Sequence, residues 1–187
     1  MNQQKMFDIW GQKILYEKLI RRQQIKRRIG EMAIQIAGDN CGNNGLIMIG
    51  ALNGVMPFLV NLSRKVGPMV KNLQIETVPI SSYGLGTVSS GEPVMTLDPS
   101  IDITGKRVLF VDDLVDSGHS IRVALENLKK KKPASLKVAV LFSKPDARKV
   151  QVPLDYVGFE IPNKYVTGVG LDDAKLYRWL LDLWARK

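Results

Sequence analysis

The stretch that most constrains this chain is an apolar run that ends abruptly at two acidic residues. Residues 108–111 are all large and apolar, which is typical of a parallel strand that is buried on both faces. Asp112 and Asp113 follow directly, and a polar turn and a helical apolar pattern come next. The sequence therefore predicts a buried strand, a polar turn and a helix that begins at that turn.

The turn after this strand has the composition of a phosphate-binding site. It contains Asp116, Ser117, Gly118, His119 and Ser120. The first N–H groups of a helix have no partners within the helix, and the helix dipole favours negative charge there. The serine hydroxyls add donors, while the acidic side chains suit a sugar diol or a hydrated Mg²⁺. The alternative is an ordinary strand–turn–helix connection with Asp116 or Ser117 as the helix N-cap.

Composition is that of an ordinary globular protein. The 187 residues are 45% hydrophobic and 24% charged, so we expect a single domain over residues 1–187 with a substantial core. No apolar run is long enough for a membrane span, and the N-terminus lacks a signal-peptide pattern. The single cysteine, Cys41, cannot form an internal disulfide. These features predict a cytoplasmic protein with no membrane partner.

The segment VLFVDDLVDSGHS resembles the phosphoribosyl-diphosphate (PRPP) binding motif of the type I phosphoribosyltransferases. The resemblance constrains about a dozen positions, which is far more specific than a lone glycine motif. It covers roughly residues 20–178 and is closest to the hypoxanthine-guanine phosphoribosyltransferases. It implies an α/β fold with a mainly parallel twisted sheet flanked by helices, a small hood at about 155–178 and a mobile flap at about 84–105.

The resemblance also implies roles for the residues of the motif. Asp112 and Asp113 would hold the ribose diol and the hydrated Mg²⁺, and Asp116 would be the general base that removes a purine ring proton. Asp112 stands where a Glu is usual, which shortens its reach to the ribose. We expect His119 to be exposed near the phosphate and not catalytic. The ribose-phosphate group would be bound by Ser117, Gly118, His119 and Ser120.

A second strand–loop–helix unit predicts another anion site at residues 52–54, directly after an apolar strand pattern at 46–51. By resemblance, this is the short diphosphate-binding loop, with a non-proline cis peptide near Ala51-Leu52. Many relatives have a basic residue where Leu52 stands, so the loop would use backbone N–H groups here. The residues implied in diphosphate binding are Leu52, Asn53, Gly54 and Arg178.

The segment DYVGFEIPNKYVTGVGLD resembles the base-binding hood of the hypoxanthine-guanine enzymes. The resemblance implies that Tyr165 stacks on the purine and that the backbone of Val166 reads the base edge. Asp172 would contact the metal through water, and its carbonyl would bind a 2-amino group of the purine. Lys144, which follows an apolar strand pattern at 136–142, would donate to the purine 6-oxo group.

A long segment rich in Gly, Ser and Thr occupies residues 84–105. A loop of this length inside a compact domain is usually functional or disordered. The resemblance identifies it as a flap that begins at Ser82 and Tyr83 and closes over the reacting centre, where it would exclude water. A short strand is predicted within it at 94–97.

Amphipathic helices are predicted near both ends of the chain. Residues 21–37 have apolar side chains at helical spacing and a basic opposite face, and Gly38 is well placed to end this helix. The last segment places apolar side chains on one helical face: Leu176, Trp179, Leu180, Leu183 and Trp184. The first twenty residues have no clear pattern.

The implied reaction transfers the 5-phosphoribosyl group from PRPP to hypoxanthine or guanine and releases diphosphate, with Mg²⁺ as cofactor and a homodimer or homotetramer as the assembly. One alternative is a PRPP-sensing regulator that binds nucleic acid, which the net charge of +9 and the basic helix 21–28 favour. Such a regulator needs no purine hood, so we do not expect nucleic acid as a partner. The other alternative is a xanthine-guanine or orotate enzyme. The sequence leaves base preference and subunit number open.

Overall fold

The computed structural model describes residues 3–40, 45–81 and 93–187. Cys41, Ser82 and Tyr83 lie outside the described residues, as does the part of the expected flap from 84 to 92. The described chain contains these helices and strands: β1 (Gln4–Ile9), β2 (Gln12–Ile20), α1 (Arg22–Asp39), β3 (Leu46–Leu52), α2 (Met56–Val66), β4 (Leu73–Ser81), β5 (Val94–Met95), β6 (Arg107–Val115), α3 (His119–Lys130), β7 (Ser135–Ser143), β8 (Tyr156–Glu160), β9 (Val166–Thr167) and β10 (Leu183–Arg186).

The larger sheet of the described chain has the strand order β5-β4-β3-β6-β7-β8. Its strands pair in parallel except for β5, which runs antiparallel to β4 at one edge. The predicted α/β fold with a mainly parallel sheet is therefore confirmed. Since β3, β6 and β7 are neighbours in this sheet, their carboxyl ends meet at one edge, where parallel sheets of this kind bind ligands.

Helices cover both faces of this sheet. Both faces are apolar, because successive side chains of a buried strand point to opposite faces. Along β3, Met48 packs into the cluster that contains the apolar faces of α1 and α2. Ile47 and Ile49 instead pack into the cluster that contains α3. No helix of the described residues is both long and apolar enough to cross a membrane.

A smaller antiparallel sheet, with the order β1-β2-β10-β9, stands beside the larger one. Residues 4–20, which belong to the N-terminal stretch without a clear pattern, form its β1–β2 hairpin, and Trp10 and Gly11 turn the chain with φ of 51° and 87°. This sheet joins the N-terminus of the chain to β9 of the expected hood, because β10 pairs with both β2 and β9.

The predicted C-terminal helix is wrong. Leu183 and Trp184 lie next to each other in strand β10, which pairs with β2, and both side chains are buried. Upstream, Tyr177 has a φ of 66°, which a right-handed helix does not allow, and Trp179 is 74% exposed. The helical spacing in this segment therefore arose from residues that belong to a loop and a strand.

Two smaller predictions also need correction. Helix α1 continues through Gly38 to Asp39 and is capped at Asn40. The short strand within the expected flap is confirmed but covers only Val94–Met95. That strand pairs with the end of β4, and the mobility of the flap stays a prediction.

Candidate active site

The two acidic side chains after the central apolar run lie inside strand β6, which continues beyond the predicted boundary to Val115. Asp112 and Asp113 are only 7% and 8% exposed. Their contacts are mainly to the local backbone: the N–H of Asp113 donates to Asp112 Oδ1, and that of Leu114 donates to Asp113 Oδ1, both at 3.0 Å. Burial raises the pKa of both carboxyls, and the charge of Asp113 raises the pKa of Asp112 further.

This raised pKa predicts that Asp112 destabilises the ligand-free chain at neutral pH. A carboxyl with a higher pKa in the folded than in the unfolded state contributes stability at low pH, and this contribution is lost as the pH rises through the folded value. Asp112→Asn should therefore be more stable than the parent at pH 7, by about 1 kcal/mol. Below the unfolded carboxyl pKa of about 3.9 the difference should vanish. Thermal unfolding without ligand at both pH values measures this, and lower stability of the variant at pH 7 would contradict it.

The turn between β6 and α3 is held by the segment that follows β7. The N–H groups of Lys149 and Val150 both donate to the Ser117 carbonyl at 2.9 Å. Gly118, with a φ of +92°, is the N-cap of α3, in place of Asp116 or Ser117. A Cβ at Gly118 would lie 2.5 Å from the Val150 carbonyl oxygen, so only glycine fits this close approach.

The first turn of α3 lies beside this bend, so its N–H groups face the mouth of the site. Ser120 is exposed and Ser117 is half-buried. His119 is half-buried and not fully exposed as expected, because its ring approaches the Arg122 guanidinium, with 3.4 Å between Nδ1 and Nη2.

Lys144 lies directly after β7 and forms an ion pair with Asp116. Its Nζ is 3.0 Å from Asp116 Oδ2, and the lysine side chain is 7% exposed against 51% for the aspartate. The Lys144 side chain is therefore buried against Asp116 and does not extend into solvent. The structure thus brings the expected general base and the expected purine donor together at the mouth of the site.

Arg148 is a site residue that sequence reasoning missed. Its Nε donates to the Asp116 carbonyl at 3.1 Å, and its Nη2 donates to Ser143 Oγ at 3.0 Å. Arg148 therefore links the turn between β6 and α3 to the end of β7. No sequence pattern around Arg148 predicts this contact, because the contact depends on the pairing of β6 with β7.

The 52–54 loop contacts both the acid pair and the hood. A Cβ on Gly54 would overlap Asp113 Oδ2, and a Cβ on Gly170 would overlap the Gly54 carbonyl oxygen. The Asp113 carboxylate therefore packs against this loop on one side and the Gly170 backbone packs against it on the other, which leaves room for glycine only. The cis peptide lies between Leu52 and Asn53, one bond later than predicted.

Arg178 is held by two residues of the hood, one of which packs against the 52–54 loop. Its Nη1 donates to the Gly170 carbonyl at 2.7 Å, and its Nη2 lies 2.7 Å from Asp172 Oδ1. The other carboxylate oxygen of Asp172 accepts the Lys175 N–H at 2.7 Å. The guanidinium therefore stands next to the Gly54–Gly170 contact, on the side of the site where the sequence places diphosphate.

The acid pair resembles a magnesium site, in which the protein supplies only a few ligands, more than a site in which side chains supply all the ligands. Within residues 3–40, 45–81 and 93–187, no three His, Cys, Asp or Glu side chains come together as a metal cluster. Asp172 is instead paired with Arg178. Mg²⁺ commonly takes one or two carboxylates and completes its shell with water and substrate phosphates, and two adjacent acids supply such a site. That Asp112 and Asp113 hold the hydrated Mg²⁺, and that Asp172 contacts it through water, stay predictions.

The hood presents one aromatic side chain to solvent. Tyr165 is 49% exposed, and its hydroxyl donates to the Asp172 carbonyl at 3.2 Å. Val166 is buried in β9 and opposite Ala185 of β10. The exposed ring of Tyr165, next to the buried strand β9, is suited to stacking on a flat ring.

Comparisons with known proteins agree with this geometry. The model of the phosphoribosyl transferase domain matches residues 16–174. A hypoxanthine-guanine phosphoribosyltransferase from Dictyostelium discoideum is 38% identical over 164 residues, which are 88% of this chain and 91% of that protein. The crystal structure of a hypoxanthine-guanine phosphoribosyltransferase from Bacillus anthracis superposes with a TM-score of 0.81 at 33% identity, over 91% of this chain and 97% of that one. A variant of the Trypanosoma cruzi hypoxanthine phosphoribosyltransferase, in a ternary substrates complex, gives 0.83 at 36% identity, over 91% and 94%.

Proposed function

The chain belongs to the phosphoribosyltransferase family, and we propose that it transfers the 5-phosphoribosyl group of PRPP to N9 of hypoxanthine or guanine. It is a purine-salvage enzyme of the hypoxanthine-guanine type. The single observation that best supports the proposed chemistry is the convergence of the buried Asp112–Asp113 pair with the Gly54 loop and the Asp116–Lys144 ion pair.

PRPP would lie along the carboxyl ends of β3 and β6. The N–H groups at the start of α3 and the hydroxyls of Ser117 and Ser120 would bind the 5′-phosphate, since a helix N-terminus favours an anion. The 52–54 loop and Arg178 would bind the diphosphate. Asp112 and Asp113 would hold the ribose diol and a Mg²⁺ ion, which, when bound, neutralises charge on the departing diphosphate.

The base would enter between Tyr165 and the Asp116–Lys144 pair. In the transfer, N9 forms a bond to C1′ of the ribose while the bond from C1′ to the diphosphate oxygen breaks, and Asp116 accepts the proton that leaves the purine ring at N7. Lys144 would donate to the neighbouring 6-oxo group. The 3.0 Å ion pair supports this assignment because it presents an acceptor and a donor side by side, as adjacent N7 and O6 atoms require.

Lys144→Gln should weaken purine binding selectively. A hydrogen bond from a charged donor contributes about 1.5–3 kcal/mol, so we expect the KM for hypoxanthine to rise roughly 10- to 100-fold, with little change in the KM for PRPP. Lys149→Gln is the matched control, since Lys149 is exposed on the same segment. Steady-state kinetics with each substrate varied in turn measures both constants. An unchanged hypoxanthine KM would remove Lys144 from the base site.

Product formation from PRPP and Mg²⁺ with hypoxanthine, guanine, xanthine or orotate tests the proposed function. We expect nucleotide from hypoxanthine or guanine, with one diphosphate released per nucleotide. Exclusive use of xanthine or orotate, or no turnover with any base, would contradict the proposal, and the second result would favour a PRPP-sensing regulator. A homo-oligomeric state and a cytoplasmic location stay predictions.

A further inference from the structure

The N-terminal hairpin has no role in the function proposed above. Strand β1 and the first part of β2 lie outside the matched family region, which begins at residue 16. The hairpin nevertheless packs against the 172–178 loop, which connects Asp172 to Arg178. Since both of these residues belong to the proposed substrate site, whatever holds this loop also positions the site.

Three hydrogen bonds join the hairpin to this loop. The Tyr16 hydroxyl donates to the Asp173 carboxylate, and the Tyr177 hydroxyl donates to the Asp8 carbonyl. Trp10 Nε1 donates to a third point of the loop, the carbonyl of residue 174, at 3.4 Å. The loop is therefore attached to the hairpin at two adjacent residues near its beginning and at one residue near its end.

The loop cannot hold its own conformation by local preference. Ala174, Lys175 and Tyr177 have φ of 49°, 68° and 66°, a region that residues other than glycine rarely adopt. Such a backbone persists only when the surrounding structure determines it. Within the loop, Asp173 and Leu176 exchange two backbone hydrogen bonds, at 3.1 and 2.8 Å, which close a tight turn but do not orient it.

The contact between Tyr16 and Asp173 is the buried centre of this attachment. Tyr16 is fully buried and Asp173 is 7% exposed. The Phe7 ring stacks between Tyr16 and Tyr177, with centroid distances of 4.7 and 4.6 Å. A buried hydrogen bond to a charged acceptor in packed surroundings fixes direction as well as distance.

We propose that Tyr16 and Asp173 are positioning residues for the transfer reaction, because their hydrogen bond fixes the 172–178 loop and so holds Arg178 against the diphosphate-binding loop. The proposal rests on the proposed function, and it assigns the hairpin a task beyond stability. Neither residue touches the substrate. Their effect should be on PRPP binding, because Arg178 is the loop residue that faces diphosphate.

Tyr16→Phe tests this proposal, since it removes the hydroxyl and keeps the ring that stacks on Phe7. We expect the KM for PRPP to rise about tenfold or more, because misplacing a binding group by about 1 Å costs this much or more. Asp173→Asn should have a similar effect, and the double variant should be less impaired than the product of the single effects. The matched control is Tyr156→Phe, which removes from a buried tyrosine a part-buried hydroxyl that donates to Asp39 at 2.6 Å.

The control separates positioning from stability. Both Tyr→Phe variants should unfold at lower temperature than the parent, but only Tyr16→Phe should raise the KM for PRPP. An unchanged KM in folded Tyr16→Phe would overturn the proposal. If that variant does not fold, Asp173→Asn decides, because it alters the same hydrogen bond from the acceptor side; its KM for PRPP should rise about tenfold, and a parental value would overturn the proposal. Absence of turnover in the parent would instead reject the proposed function.

Discussion

Asp116→Asn is expected to lower kcat by ~10²-fold or more, with the KM for PRPP little changed. The asparagine keeps the size of the side chain and can still accept a hydrogen bond from Lys144, which lies 3.0 Å from the carboxylate in the parent. It cannot take a proton from the purine ring. The loss should therefore fall on the chemical step and not on the binding of the sugar phosphate.

Single-turnover kinetics with excess enzyme measures this step apart from product release. Asp146→Asn is the matched control, because Asp146 is an exposed acid on the segment that follows Lys144. The control should keep parental turnover. Near-parental turnover in Asp116→Asn would mean that another group accepts the proton.

Gly54→Ala is expected to reduce kcat/KM by roughly 10²-fold and to lower stability by about 1–3 kcal/mol. The added methyl group would overlap Asp113 Oδ2, and the Gly54 carbonyl has no room to move away because Gly170 packs against it. The substitution must therefore displace the acid pair or the hood. Either displacement disturbs the region where PRPP is expected to bind.

Gly38→Ala provides the control for adding a methyl group at a glycine. Gly38 is an exposed helical position where a Cβ would meet no atom within 4 Å. Alanine there should be neutral or stabilise α1 by up to ~1 kcal/mol. Activity assays and thermal unfolding of both variants measure the difference, and a fully active Gly54→Ala would contradict the tight contact.

Local patterns were enough to predict the strand, turn and helix around the acid pair. Each of these elements depends on residues that are close in sequence: a continuous apolar run, a glycine with positive φ at the N-cap, and a helical apolar face. The mainly parallel pairing in the larger sheet also follows from its strand–helix units, whereas the order of its strands was not predicted. The motif at 108–120 therefore specified both the fold class and the position of the site within it.

The smaller sheet could not be predicted in the same way. Strand β10 exists because it pairs with β2, and residues as distant as Tyr16 and Arg186 face each other in that pairing. The apolar residues of 176–184 have helical spacing, but positive φ at Lys175 and Tyr177 is imposed by packing against the hairpin. Tertiary contacts here override the local preference.

In the candidate site, too, some features depend on residues that are close in sequence and others on contacts between distant segments. The sequence predicted Asp116 and Lys144 separately, but their ion pair spans 28 residues and depends on β6 and β7 being adjacent. The contact of Tyr16 with Asp173 spans 157 residues and had no signal in either segment. The local structure of one motif was thus predictable, whereas the contacts that hold the motif in place were not, and the roles of the site residues stay predictions.

Calorimetric titration of PRPP with Mg²⁺ into the parent and into the Asp112→Asn, Asp113→Asn double variant tests the claim that the buried acid pair at the end of β6 holds the activated sugar phosphate. We expect one PRPP per chain for the parent and no measurable binding for a double variant that thermal unfolding shows to be folded. Equal affinity in the two proteins would contradict the claim.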